Sequence, residues 1–173
     1  TLTASEKITI KVLNMNRPPV IDSYKPSNLT LKTREGYSLQ FNHTSNDPDS
    51  DPLTYGWFLD AVKKSSSQAW LFSPTTAECG LHDATVYVND TSGEIASMKW
   101  NVTVWLSGDV DGNRGVNIFD LAAVGLCFGK PATGSCANSD LNPAPKTDGT
   151  PEGNGVIDIF DLATVGKNFG RSC

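Results

Sequence analysis

Two kinds of hydrophobic spacing divide the chain. Between Val20 and Trp105, apolar and polar residues alternate in short runs, at 29–33, 38–41, 53–59, 69–72, 84–88 and 98–105, separated by Gly, Pro, Asn and Asp. A period of two sends successive side chains to opposite faces of a strand, and short strands punctuated by turns predict an all-β sandwich. Alternation at 85–88 and 100–104 turns one set of side chains inward and leaves Asn101 outward, with Trp57 the expected core anchor. The spacing changes after residue 107. There Val116-Asn-Ile-Phe-Asp-Leu-Ala-Ala-Val-Gly-Leu-Cys-Phe-Gly129 recurs as Ile157-Asp-Ile-Phe-Asp-Leu-Ala-Thr-Val-Gly-Lys-Asn-Phe-Gly170. Chance does not produce such a repeat, and one short helix cannot bury an apolar stripe alone, so two copies are expected to pack together.

The chain therefore reads as a β-domain over 17–106 and a helical module over 107–173. The run at 8–13 (ITIKVL) and the stiff Asn16-Arg-Pro-Pro19 joint make 1–16 the expected closing strand of a preceding domain plus linker; a first strand of this domain is the alternative.

A net charge of −5 with no cluster of Lys and Arg argues against a nucleic-acid partner. No apolar run approaches the ~18 residues of a membrane span, so no membrane insertion is expected of this fragment. Four Asn-x-Ser/Thr triplets, at Asn28, Asn42, Asn89 and Asn101, all fall in the β-domain. They mark candidate glycosylation sites and an extracellular or cell-surface location. Cys79, Cys127, Cys136 and Cys173 fit that compartment and allow three pairings. Cys127 with Cys136 closes the shortest loop, and Cys173, just past the final helix, could then reach Cys79 and fasten the two domains together; two unpaired thiols are the alternative.

Candidate chemistry lies ahead of each repeat. Asp109-Val-Asp-Gly-Asn-Arg-Gly-Val-Asn-Ile-Phe-Asp120 has the length and oxygen spacing of an EF-hand loop. The side chains of Asp109, Asp111 and Asn113 fill positions 1, 3 and 5, the Gly115 carbonyl position 7, Asn117 position 9 and Asp120 position 12. Arg114 stands where a sharp turn calls for Gly, so a small shift of the loop or relief at Gly115 is expected. The second loop is interrupted by 143–152. Its preferred ligand set is Asp140, Asn142, Asn154, the Val156 carbonyl, Asp158 and Asp161; a competing register uses Asp148 or Glu152 in place of Asp140 and Asn142. Two calcium ions are expected. Asp and Asn also cap helices without metal, which is the alternative role for both loops.

Paired loops of this form, each ending in Asp-Leu and running into a helix, resemble dockerin modules of the type I-like kind. The turn Asn46-Asp-Pro-Asp-Ser-Asp-Pro52 before Leu53-Thr-Tyr-Gly-Trp57, with the Asn-Arg-Pro-Pro joint, resembles immunoglobulin-like extracellular repeats of the polycystic-kidney (PKD) and cadherin-like kind. Asp47, Asp49 and Asp51 themselves are read as a solvated turn. The resemblance implies an all-β immunoglobulin-like sandwich followed by a small all-α dockerin module with two calcium loop-helix repeats. It implies helices over 121–128 and 162–169, and a cohesin domain as partner, with Ile118, Phe119, Ile159 and Phe160 at the recognition positions. Packing of Phe119 and Phe160 into the module is the competing arrangement. Two isolated histidines, His43 and His82, and no nucleophile–base signature argue against an enzyme. The expectation is a non-catalytic, calcium-dependent docking module with an Ig-like spacer, or alternatively a cell-surface stalk whose terminal module is structural. Trp70 or Trp105 would be the route to carbohydrate binding, with core packing the competing fate of both.

Overall fold

The computed structural model describes residues 15–141, 143–145 and 151–173, the last two segments as backbone only at 143–145 and 151–152. The expected strand at 8–13 lies outside these residues, as do Asn142 and Asp148.

Eight strands form the expected sandwich. β1 (Val20–Lys25), β3 (Leu39–Asn46) and β6 (Ala69–Phe72) make one antiparallel sheet in the order β1-β3-β6. β2 (Thr30–Arg34), β4 (Thr54–Leu59), β5 (Val62–Ser65), β7 (Gly80–Asn89) and β8 (Ile95–Trp105) make the other, in the order β2-β8-β7-β4-β5. β2 runs parallel to β8, pairing Thr30 with Asn101 and Arg34 with Trp105. β1 and β5 are additional to the runs singled out in the sequence: β1 buries none of its side chains and β5 carries two lysines, so neither shows a clean apolar face.

Alternation explains the core. In β8, Trp100, Val102 and Val104 are buried, while Asn101 between them is exposed. Trp57 and Trp100 are fully buried with ring centroids 5.6 Å apart, and Phe41 sits 5.2 Å from Trp100. A buried indole needs an acceptor, and each has one: Trp57 Nε1 donates to the Ser67 carbonyl at 3.0 Å, Trp100 Nε1 to that of Pro26 at 2.9 Å.

β8 runs directly into the second core, whose first member, Leu106, is fully buried. Around Leu106, Val116, Val124, Ile157 and Val165 pack the helices α1 (Ile118–Cys127) and α2 (Ile159–Asn168). Both helices begin three residues earlier than expected. The side chains of Asn117 and Asp158 cap the N–H groups of Phe119 and Phe160, each at 2.8 Å, and draw the last turn of each loop into the helix. Each helix stops at Phe-Gly, where Gly129 (φ 73°) and Gly170 (φ 83°) take the left-handed conformation.

The chain beyond each helix then pairs with the other repeat's loop. Gly129 donates to the Ile157 carbonyl and Gly170 to that of Val116, at 2.8 and 2.7 Å. Ile157 donates to Lys130 and Val116 to Arg171, at 3.0 and 2.8 Å. Of the three cysteine pairings, the structure forms Cys127–Cys136 within this module and Cys79–Cys173 between it and the β-domain. Interrupting the second loop, β9 (Pro143–Pro145) and β10 (Pro151–Gly153) pair as an antiparallel hairpin.

Candidate metal centre

In the first loop, Asp109, Asp111 and Asp120 each bring a carboxylate oxygen within 4.8 Å of the others. Asp109 and Asp120 are fully buried and Asp111 is exposed. Their hydrogen bonds shape the loop. Asp109 accepts the N–H groups of Gly112 at 2.7 Å and Arg114 at 3.1 Å through separate oxygens. Asp120 reaches back across the loop to accept Val110 N–H at 2.7 Å, and accepts Asn117 N–H at 2.8 Å. Arg114 takes the sharp turn itself, at φ 72°, and Gly115 does not relieve it; the N–H bond to Asp109 fixes this unfavourable conformation.

The second loop repeats the arrangement. Asp140 accepts Asn154 N–H at 3.1 Å and Gly155 N–H at 2.7 Å. Asp161, fully buried, accepts Leu141 N–H at 2.6 Å and Asp158 N–H at 2.7 Å. Asp140 thus stands to Asp161 as Asp109 stands to Asp120, and the β9–β10 hairpin is an excursion between Leu141 and Asn154. Gly155, at φ 91°, occupies the place of Arg114. Asn113 and Asn154 each accept the N–H two residues ahead, from Gly115 at 2.9 Å and Val156 at 3.0 Å.

Several charges of one sign crowd each loop. Burial pushes the Asp109 carboxyl up, the N–H groups of Gly112 and Arg114 pull it back, and the charges of Asp120 and Asp111 push it further. Asp140 is likewise raised by burial, opposed by Gly155 and Asn154, with Asp161 and Asp158 adding to the rise. The carboxylates of the first loop, drawn together, could hold a cation, and a donor set of oxygens alone among the described residues fits a hard ion such as calcium. The oxygens of Asn117 and Asp158 that cap the helices are already engaged. Asp158 has a second, which accepts the Asn154 amide at 3.1 Å.

The expected partner positions lie outside. Phe119 is 71% exposed and Phe160 62%, so neither packs into the module, and Ile118 and Ile159 are exposed beside them. α1 continues this apolar surface with Leu126, where α2 has Lys167. Asn28, Asn42 and Asn101 are exposed and Asn89 is half-buried. Trp70 stacks on Phe41 at 5.4 Å as part of the β core, and the Trp105 ring lies against Gly112. The Asp47 turn is held by its own backbone, with Asp47 accepting the N–H groups of Asp49 and Asp51, and Asp49 pairs with Arg17 at 2.7 Å.

A family model for a bacterial Ig domain matches residues 16–103. The chain belongs to the bacterial Ig domain family. The match spans all eight strands of this Ig domain except the last residues of β8, and the two-loop module lies beyond it. No curated protein matches the chain. Solved structures similar to it include the fibronectin(III)-like modules of Clostridium thermocellum CbhA, at 13% identity and TM-score 0.43, over 51% of this chain and 47% of that one. The PKD1 domain of Vibrio anguillarum Epp matches at 24% identity and TM-score 0.37, over 52% of this chain and 99% of that one. The PKD1 domain of the Vibrio cholerae metalloprotease PrtV matches at 23% identity and TM-score 0.37, over 51% and 98%. The chain spans about half of the CbhA structure's length.

Proposed function

We propose that residues 107–173 form a calcium-dependent docking module of the dockerin type, that two calcium ions order its loops, and that the Ig domain carries it as a spacer. The reading rests on one observation above others. Both loops repeat a carboxylate pair, Asp109 with Asp120 and Asp140 with Asp161, of which all are buried but the half-buried Asp140, and each loop presents an exposed apolar pair at its end, Ile118-Phe119 and Ile159-Phe160. Asp109, Asp111, Asp120, Asp140, Asp158 and Asp161 would hold the ions with Asn113, Asn154 and loop carbonyls. The ions would supply positive charge to the carboxylates, and metal affinity would appear as folding free energy. The partner is a cohesin domain, met through an apolar surface, and the role is non-catalytic.

Two disulfides and a bacterial Ig domain support an extracellular or cell-surface location, where the exposed Asn28, Asn42 and Asn101 would be accessible to glycosylation together with Asn89. A structural stalk is the second reading. The disulfide between Cys79 and Cys173 favours it, because it fastens the module to the Ig domain rather than leaving it on a flexible linker.

Calcium titration followed by cohesin capture tests both. Two ions bound, calcium-dependent capture, and loss of capture in the Phe119→Asp, Phe160→Asp double variant are expected. Two ions bound without capture of any cohesin type would favour the stalk, and no calcium binding would overturn the module's assignment.

A further inference from the structure

The end of β2 and the turn after it reach into the two-loop module. Arg34 donates through Nη1 to the carbonyls of Leu106, at 3.3 Å, and Asp109, and through Nη2 to the carbonyl of Asn138 at 3.0 Å. Tyr37 donates its hydroxyl to the carbonyl of Leu141 at 3.3 Å. Asp109 opens the first loop and Leu141 directly follows Asp140, which opens the second. Two side chains of the Ig domain, three residues apart, therefore hold the opening backbone of both loops.

Neighbouring contacts serve the same segments. The Trp105 ring fills the space beside Gly112 in the first loop, where a Cβ would come within 2.8 Å of it. Arg34 and Lys32 lie over that ring, at 5.3 and 4.9 Å from its centroid. Glu35 accepts the Ser107 N–H at 3.2 Å and pairs with Arg171, its Oε2 2.7 Å from Nη2. The Arg171 carbonyl in turn accepts the N–H of Val116, on the returning side of the first loop, at 2.8 Å. Burial pushes Arg34 down to about 10, against the charges of Asp109, Tyr37 and Asp120, which leaves it charged at neutral pH.

We propose that Arg34 and Tyr37 are positioning residues of the metal centre: the Ig domain holds both loops in their ligating conformation and so sets their calcium affinity. This rests on the calcium reading above. A loop already fixed loses less conformational entropy when it closes on an ion, so the ion binds more tightly. The coupling is reciprocal, and calcium must strengthen the contact between Ig domain and module by the same factor. The positive guanidinium opposes a dication by charge, but it donates to backbone carbonyls rather than to the carboxylates, and ordering outweighs repulsion.

Calorimetric titration of the full chain with calcium, paired with terbium luminescence excited through tryptophan, tests this. Trp105 against Gly112 makes the first loop the brighter site, because the other three tryptophans belong to the β core. Arg34→Met should weaken calcium at the first loop roughly tenfold, within the usual range of coupling between sites. Tyr37→Phe, which removes one hydroxyl, should weaken the second loop about fivefold and spare the first. That split between loops is not what general loss of stability produces, and Arg34→Lys, which keeps the charge and part of the packing, should recover part of the loss. Should Arg34→Met fold poorly, Arg34→Lys and Tyr37→Phe carry the test alone.

Two ions bound in the parent chain with unchanged affinities in the variants would overturn the positioning role and leave the calcium reading standing. Tighter binding in Arg34→Met would overturn it in favour of charge repulsion. No ion bound by the parent chain would bring down both.

Discussion

The Asp140 carboxyl occupies the space that a side chain on Gly153 would need: a Cβ there would stand 1.6 Å from its Cγ. Gly153→Ala must therefore expel Asp140 and break its bonds to the N–H groups of Asn154 and Gly155. The expected result is loss of the second ion with the first retained, read as a fall in calorimetric stoichiometry from two to one. Gly125→Ala, on α1 where a Cβ meets nothing within 4 Å, should keep both ions and stabilise the helix by about 0.5–1 kcal/mol.

Chelation should destabilise the chain. Each ion that binds only the folded form adds about 2.7 kcal/mol at a concentration one hundred times its dissociation constant. Thermal melts in calcium and in chelator check this, and the helical signal at 222 nm should be the first to go as calcium is withdrawn. An unchanged melting temperature would count against metal in either loop.

The two disulfides should differ in worth. Cys79–Cys173 spans a sequence separation of 94 and Cys127–Cys136 one of 9, and the chain-entropy model makes the longer closure worth about 2 kcal/mol more. Denaturant titration of Cys79→Ser, Cys173→Ser against Cys127→Ser, Cys136→Ser gives the comparison.

His43 predicts a pH dependence unrelated to calcium. Its ring is buried against Tyr55 at 4.9 Å and Trp57 at 5.8 Å, and neither ring nitrogen has a hydrogen-bond partner among the described residues. Burial lowers its pKa in the folded chain, so the unfolded chain takes up the proton first as pH falls. Stability is complete above the unfolded value of about 6.5 and declines below it, until the folded form also protonates. His43→Phe should flatten melting temperature against pH between about 5 and 7; an unaltered slope would assign the dependence to other groups.

Glu35 acts in a lower range. Burial opposes its ionisation, yet hydrogen bonds from Arg171, Thr76 and the Ser107 N–H, with the Arg171 charge, outweigh this and hold its carboxyl below the usual range. The link it makes between domain and module is present above the ordinary glutamate pKa and is lost as pH falls through the lowered one. Glu35→Gln should remove that acid-side loss, measured by limited proteolysis at the junction between pH 3 and 5, on the order of the carboxylate range.

What was legible in the sequence was whatever local spacing encodes. The β rhythm, the core place of Trp57, the repeated loop and helix and the opening of the second loop at Asp140 follow from period, turn chemistry and oxygen spacing. β1 and β5 were missed because an edge strand buries too little to show an apolar face. The helix starts at Ile118 and Ile159 are not legible in the spacing, because the oxygens of Asn117 and Asp158 fit a ligand position and a helix cap alike, and the structure shows the caps. Spacing alone left Phe119 and Phe160 open between core and surface, since an aromatic beside a buried Asp reads the same either way. Arg34, Glu35 and Tyr37 carry no local signature at all; their meaning comes from segments more than seventy residues away, joined only when the chain folds.

Each repeat's loop is completed by the strand that leaves the other repeat's helix, Gly129 on Ile157 and Gly170 on Val116. A single loop and helix is thus left with open backbone groups that the second copy closes. The bond from Cys173 to Cys79 ties the final segment to its own chain, so the mutual closure of the two halves is fastened covalently within one molecule.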